Sequence, residues 1–366
     1  MTSKTATWIT VTTKVEPNIL VICGYPLSQL IEHSNLLEIA HLLIKHELPV
    51  KDEIDLHRNA AFKAARLPAP EVERFEGEDI SMTLANCLLS DRALYAVPQK
   101  GENGPVKKTI FALGRICRYL ANLLDHEAAL DEAQADEPFG NLVYRALTGA
   151  RELDEKKGLL IETMVTACVD HGVTPPSTQA CRIAASVRAD YAMSLCSGVG
   201  AITDVHGGAG SKAAAFFMKV VARAEASGMP LEDATEAVIR EYLENKKLIQ
   251  GLGHRFHTRD PRRDVLWKRS KAYGQAGKCL TVSEIVSDIF ALISSKRLPI
   301  NVDGVIGAII ADMGVDIELA KALFIFGRVA GLSAHYFEEI TTQRPMRRIH
   351  FENAVYQGAP NRDYPK

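Results

Sequence analysis

From residue 27 to about residue 336 the apolar side chains recur at helical spacing, segment after segment, while runs with the twofold alternation of a strand are nearly absent. Within 27–46, Leu27, Leu30, Ile31, Leu37, Ile39, Ala40 and Leu43 hold that spacing, and the break near Ser34 suits a cap before a second helix. The same pattern predicts helices over 80–94, 108–124, 140–147, 155–170, 177–189, 191–203, 212–227, 231–245, 282–295, 305–313 and 317–336. Such repetition leaves almost no residues for a sheet and predicts an all-α fold. The exception is at the front. Residues 8–23 are rich in Val, Ile and Thr around Glu16-Pro17-Asn18, which predicts a short β-hairpin ended by Gly24-Tyr25-Pro26.

A chain of 366 residues can bury a large core as one big domain or two. Its 43 Lys and Arg against 45 Asp and Glu give a formal charge of −2, which argues against nucleic acid as the main partner. An anionic ligand would therefore need a local cluster of cations. Residues 1–15 are polar rather than basic then apolar, and no apolar run approaches the roughly 20 residues of a membrane span. The seven cysteines form no CxxC pair. A reduced, cytoplasmic setting with the cysteines as core residues is the expectation. Two polar stretches, 97–106 and 127–137, read as an exposed loop and a solvated acidic linker or helix face.

Three short segments concentrate groups that can move a proton. His206 precedes Gly207-Gly208-Ala209, after one helix and before another that starts near Ser211. It either caps a turn or serves as a neutral hydrogen-bond donor, kept uncharged by the positive end of the next helix. Gly251-Leu252-Gly253-His254-Arg255 leads into His257, Arg259, Asp260-Pro261-Arg262 and Arg263, behind Lys246 and Lys247. So many cations around glycines suit phosphates or carboxylates, or else form a solvated basic loop. His254 and His257 are three apart, but with no third ligand in reach no metal site is expected. In Asn301-Val302-Asp303-Gly304 an isolated acid enters an apolar helix, as an N-cap or as a general base. Arg328 interrupts another apolar helix and needs a partner. His171 is either structural or a second polar contact to an acid. Two imidazoles, one carboxylate and several guanidiniums suit one chemistry. They can remove a proton beside a thioester carbonyl and add the resulting enol to an anionic 2-oxo acid.

The order of these segments resembles the citrate synthase superfamily over nearly the whole chain. Gly24-Tyr25-Pro26, Ile31-Glu32-His33-Ser34 and Glu47-Leu48-Pro49 are similar to its N-terminal signature, and Asp170-His171, His206-Gly207-Gly208-Ala209, Gly253-His254-Arg255, Asp260-Pro261-Arg262, Asn301-Val302-Asp303 and Arg344-Pro345 follow in its order. The resemblance implies that Asp303 takes the α-proton of acetyl-CoA or a close acyl-CoA, His206 stabilises the enol, and His254 polarises the keto group of oxaloacetate. It implies that His171, Arg262 and Arg328 hold the carboxylates and that Arg344 completes the neighbouring site of a homodimer. Coenzyme A, as co-substrate rather than tightly bound cofactor, would meet Lys246, Lys247, Gly251, Gly253, Arg255 and Arg259. The implied fold has a large helical domain, 1–206 with 309–366, and a smaller mobile one, 207–308.

Gly172 stands where most citrate synthases carry Glu after the Asp-His pair, and Cys168 where many have His. Gly172, Pro175-Pro176, Phe256-His257, Gly304 and Arg344-Pro345-Met346-Arg347-Arg348 are more similar to citryl-CoA lyases, some also to the citryl-CoA-cleaving part of ATP-citrate lyase. The length of 50–155 instead resembles a full citrate synthase. Citrate synthesis is the leading expectation, citryl-CoA cleavage the second, and a catalytically silent metabolite-sensing homologue the third.

Overall fold

The computed structural model describes residues 8–73, 77–348, 355–358 and 360; the stretch from Gln357 onward, whose two prolines and several charges predict a mobile or wrapping end, falls almost wholly outside them. Among the described residues, seventeen α-helices accompany one three-stranded antiparallel sheet, so the all-α expectation holds. In the sheet, Thr13–Glu16 (β1) pairs with Ile19–Ile22 (β2), which pairs with Tyr25–Pro26 (β3). Pro17 and Asn18 form the turn, and Asn18 takes a φ of 62°, which Asn tolerates better than most residues. No helix of the described residues is long and apolar enough to cross a membrane.

The helix Ala320–Thr342 is the axis of the molecule. It is buried on all sides as far as Glu339, as its all-round apolar sequence requires. Helices Leu36–Lys45, Gly104–Leu123, Glu155–Ala167, Pro176–Ser186 and Tyr191–Gly200 pack around it. A Cβ at Gly327 would collide with the carbonyl oxygen of Val165, and one at Gly331 with that of Val169. The two glycines let the 165–170 segment lie against the helix, which places Arg328 and His335 beside Cys168 and Asp170. Gly327→Ala is expected to cost at least about 2 kcal/mol in urea unfolding, because neither backbone can yield; a change within the usual surface range would contradict this packing role. In a second group of helices, Ala209–Ser227, Arg263–Ala272 and Lys278–Ser294 pack on Val302–Met313, a helix that runs across residue 308, and Leu231–Glu244 packs on Ala209–Ser227 and Lys278–Ser294.

Several local expectations change. Ser34 ends the first helix, and the cap of the second is Asn35, whose side chain accepts the N–H of Glu38. Glu137, expected in a solvated stretch, is buried and paired with Arg145 at 3.0 Å. The helix Lys51–Arg66 has no counterpart in the periodicity. Its buried face is Ala61, Ala64 and Ala65, pressed against Gly114 of Gly104–Leu123, so small side chains replace the apolar stripe.

Candidate functional site

A cavity of about 230 Å³ is lined by His171, His206, His254, Arg262, Asp303 and Arg328, together with Gly253, Arg255, Asn301 and Phe324. The residues come from five stretches of chain, around 171, 206, 253–262, 301–303 and 324–328.

Asp303 stands in the first turn of Val302–Met313 but does not cap it. Asn301 does, accepting the N–H of Gly304 at 3.1 Å. The cap is filled, so the Asp303 carboxylate is left to face the cavity. Burial pushes its pKa up to about 6; Arg262 and Arg328 oppose the rise and Asp260 adds to it. Asp260 goes the other way. Burial raises its carboxyl too, but Arg262, held by two hydrogen bonds of 2.9 and 2.7 Å, keeps it well below the usual carboxylate range. The same carboxylate accepts the N–H of Val302 and so ties Arg262 to the start of the Asp303 helix. Two neighbouring acids thus have opposite protonation habits, the pattern expected when one stays ionised and the other exchanges protons.

The loop bearing His254 is clamped to that helix. Asn301 donates to the carbonyl of Gly253, and Gly253 donates to that of Pro299. Gly251 meets Gly304 with no room for a Cβ on either, so it serves packing between backbones. His254 Nδ1 accepts the N–H groups of Phe256 and His257 at 3.1 and 3.0 Å. A neutral ring therefore carries its proton on Nε2. Burial first, then Arg262, His257 and Arg255, lower its pKa to about 4 against the pull of Asp260, so it is neutral at pH 7.

His206 Nε2 lies 2.9 Å from Ser177 Oγ, a contact that joins it to the start of Pro176–Ser186. Its pKa falls to about 4, through burial and then Arg328 and Arg255. Burial, and not the start of the next helix, is the chief cause. The next helix starts at Ala209, and Gly207 is there for packing, since a Cβ would strike the Phe324 ring.

Arg328 is 2% exposed and makes no ion pair with a described carboxylate. It donates to the carbonyl of Cys168 and to Ser177 Oγ, and lies 4.6 Å over the Phe324 ring. A buried guanidinium with no direct ion pair is costly unless an anion arrives to pair with it.

His171 is buried beside His254 and His257, and one ring nitrogen from each lies within 4.8 Å of the others. The fold thus supplies the third imidazole that spacing alone did not. Metal ligation still meets an obstacle. Backbone N–H groups occupy Nδ1 of both His254 and His257, which puts their protons on Nε2, the atoms that would have to bind an ion.

Other expected contacts lie elsewhere. Lys246 and Lys247 are exposed at the end of Leu231–Glu244, Arg259 is exposed and paired with Asp264, and Arg344 is exposed near the C-terminal end of the described chain. None of them lines the cavity. Sequence reading gave no role to Asn301, Asp260 or Phe324 in this site. The Asn-x-Asp-Gly spacing was a usable signal for the cap; the others depend on tertiary packing.

The family model described as citrate synthase, C-terminal domain, matches residues 2–349. "Citrate synthase 2" of Bacillus subtilis (strain 168) is 26% identical over 345 residues, covering 90% of this chain and 88% of that protein. The fold is shared with citrate synthase from the archaeon Thermoplasma acidophilum, solved with carboxymethyl coenzyme A and oxaloacetate, at a TM-score of 0.79, 22% identity and coverage of 98% and 95%. Citryl-CoA lyase from Hydrogenobacter thermophilus is 25% identical with a TM-score of 0.50, covering 98% of this chain and 97% of that one.

Proposed function

The chain belongs to the citrate synthase family, and from that premise we propose that it condenses acetyl-CoA, or a close acyl-CoA, with oxaloacetate and hydrolyses citryl-CoA to citrate and CoA. The observation that carries this reading is an Asp303 that is not spent as a helix cap, with a pKa of about 6, in one cavity with His206, His254 and an Arg328 that has no direct ion pair.

In the proposed sequence the Asp303 carboxylate removes a proton from the carbon next to the thioester carbonyl. His206 hydrogen-bonds the oxygen on which charge develops. Neutral imidazole suits this, because a full proton transfer is not required. His254 Nε2–H polarises the keto carbonyl of oxaloacetate and passes its proton to the new alkoxide as the carbon–carbon bond forms, and the proton that Asp303 took from carbon makes good the one His254 gave up, so that no net proton is gained or lost. Arg328 and Arg262, with His171, hold the two carboxylates. Water then adds to the thioester carbonyl, and CoA leaves as the thiol.

Arg255 at the cavity rim, with Lys246, Lys247 and Arg259 on the exposed surface, would meet the phosphates of coenzyme A. We assign residues 207–308 to a smaller domain that closes on the site and the remainder to a larger one. The proposed partner is a second copy. Met82, Ile183, Val187 and Met193 expose apolar side chains on or beside three helices that pack together, Ile80–Ser90, Pro176–Ser186 and Tyr191–Gly200. Arg344, exposed in its own chain, would complete the partner's site. The proposed compartment is the cytoplasm, where seven free thiols would stay reduced.

A second reading, citryl-CoA cleavage to acetyl-CoA and oxaloacetate, is favoured by Gly172 in place of the Glu of most citrate synthases. The same proton-transfer groups would serve it in reverse. Acetyl-CoA and oxaloacetate are expected to release free thiol continuously, and citryl-CoA to yield chiefly citrate. Chiefly acetyl-CoA from citryl-CoA would transfer the assignment to the lyase. No turnover in either assay would remove both.

A further inference from the structure

We propose that His257 is a positioning residue of this site, held by the turn of the N-terminal hairpin, and that it fixes which ring nitrogen of His171 carries the proton. The Asn18 N–H donates to His257 Nδ1 at 2.9 Å. A backbone N–H cannot accept, so His257 Nδ1 is bare and the proton of the neutral ring is on Nε2. That nitrogen lies 3.3 Å from His171 Nε2. His171 must accept there, and its own proton is left on Nδ1.

The turn that begins this chain of bonds is built to hold the loop. Asn18 Oδ1 accepts the N–H groups of Thr258 and Arg259 at 2.9 and 2.8 Å, and its Nδ2 donates to Thr258 Oγ1. Val15 of β1 packs on Gly172, the residue after His171. The hairpin therefore grips both histidine segments, although Asn18 and His257 are 239 residues apart. His257 is itself 2% exposed and does not line the cavity, so it acts through its neighbour.

The consequence for binding rests on the function proposed above. With a donor on Nε2, the His171 lone pair is turned away from an incoming anion, and Nδ1–H is the one group the ring can offer to a carboxylate. A lone pair in its place would repel that carboxylate.

The test labels histidine with 15N in the full-length, ligand-free protein and reads the tautomers by long-range 1H–15N correlation, with assignments from single-histidine variants. The expected result is Nε2–H for His257 and Nδ1–H for His171. His257→Leu should move His171 to Nε2–H or to a mixture and raise the Kd for oxaloacetate about tenfold, the scale of one charge-assisted hydrogen bond. His257→Gln, whose amide can accept from Asn18 and donate to His171, should keep both the tautomer and the affinity. Asn18→Gly keeps the left-handed turn but loses the side-chain clamp, and should raise the Kd in the same direction by a smaller factor. His171 in the Nε2–H form in the parent protein, or unchanged in His257→Leu, would overturn the inference. If His257→Leu does not fold, the same decision falls to the parent tautomers and to His257→Gln. The tautomers are read without substrate: the stated tautomers with no oxaloacetate binding would sink the functional reading and leave the positioning intact.

Discussion

Replacing Asp303 with Asn is expected to slow condensation at least about a hundredfold and, at the same time, to make the protein more stable at neutral pH. The loss follows from removal of a general base, whose usual contribution is of that size or larger. The gain follows from the same burial that makes the base useful. A carboxyl lifted from 3.8 to about 6 on folding costs the folded state on the order of 2–3 kcal/mol wherever it must ionise. Because the folded pKa is the higher one, the carboxyl's favourable contribution is complete below about pH 3.8 and is lost as pH rises through about 6. The extra stability of the Asn variant should therefore be full at pH 8 and shrink between pH 6 and pH 4. Urea unfolding at several pH values measures it. In the parent enzyme, kcat/KM for the acyl-CoA should rise with pH through about 6 and then level. Asn301 holds the cap, so the substitution leaves the helix start intact. Near-normal turnover, or a less stable variant at pH 8, would contradict the role given to Asp303.

Arg328→Met should abolish useful binding of oxaloacetate, raising its Kd about a hundredfold or more, without unfolding the protein. A guanidinium that meets a carboxylate in a water-poor cavity is worth several kcal/mol when only one partner is removed. The ligand-free protein has the opposite interest. Arg328 is buried with no direct ion pair to a described carboxylate; burial lowers its pKa and Arg262 adds like-charge repulsion, outweighing the pull of the nearby Asp170 and Asp303 carboxylates. Methionine fills much of the same volume, keeps contact with the Phe324 ring and removes the charge. Equal or higher stability is expected in urea, with calorimetry reporting the lost affinity. Retained affinity would show that the carboxylates are held elsewhere, and a collapse of stability would make Arg328 a structural residue.

The parts legible in the sequence are those that a few consecutive residues decide. The mostly apolar run of Ala320–Thr342 announces a central helix, and the glycines beside His206 and Asp303, with Gly251 in the loop before His254, mark where backbone packs closely around polar groups. Lys51–Arg66 was invisible because its contact with Gly114 is made by alanines, which leave a weak periodic signal. The choice between cap and base at Asp303 needed the Asn301 hydrogen bond, and the choice between Ser34 and Asn35 needed the actual helix ends. The third imidazole near His254 and His257 is not legible in spacing, because His171 is 86 residues from His257 in the chain and adjacent to it in space. The backbone N–H groups on Nδ1 of His254 and His257, which work against ligation there, are likewise something no spacing encodes. Similarly, Ser177 with His206 and Asp260 with Val302 are pairings made by helix packing alone.

The claim beneath all of this is that Asp303 removes a proton from carbon, and it can be measured without carbon–carbon bond formation. In deuterium oxide, with acetyl-CoA and the unreactive 2-hydroxy analogue of oxaloacetate, proton NMR follows loss of the acetyl methyl signal. Enzyme-dependent exchange in the parent protein, reduced at least about a hundredfold in Asp303→Asn, is the predicted result. Exchange that persists at the parent rate in the Asn variant would contradict it, as would condensation activity in a parent protein that never exchanges the methyl protons.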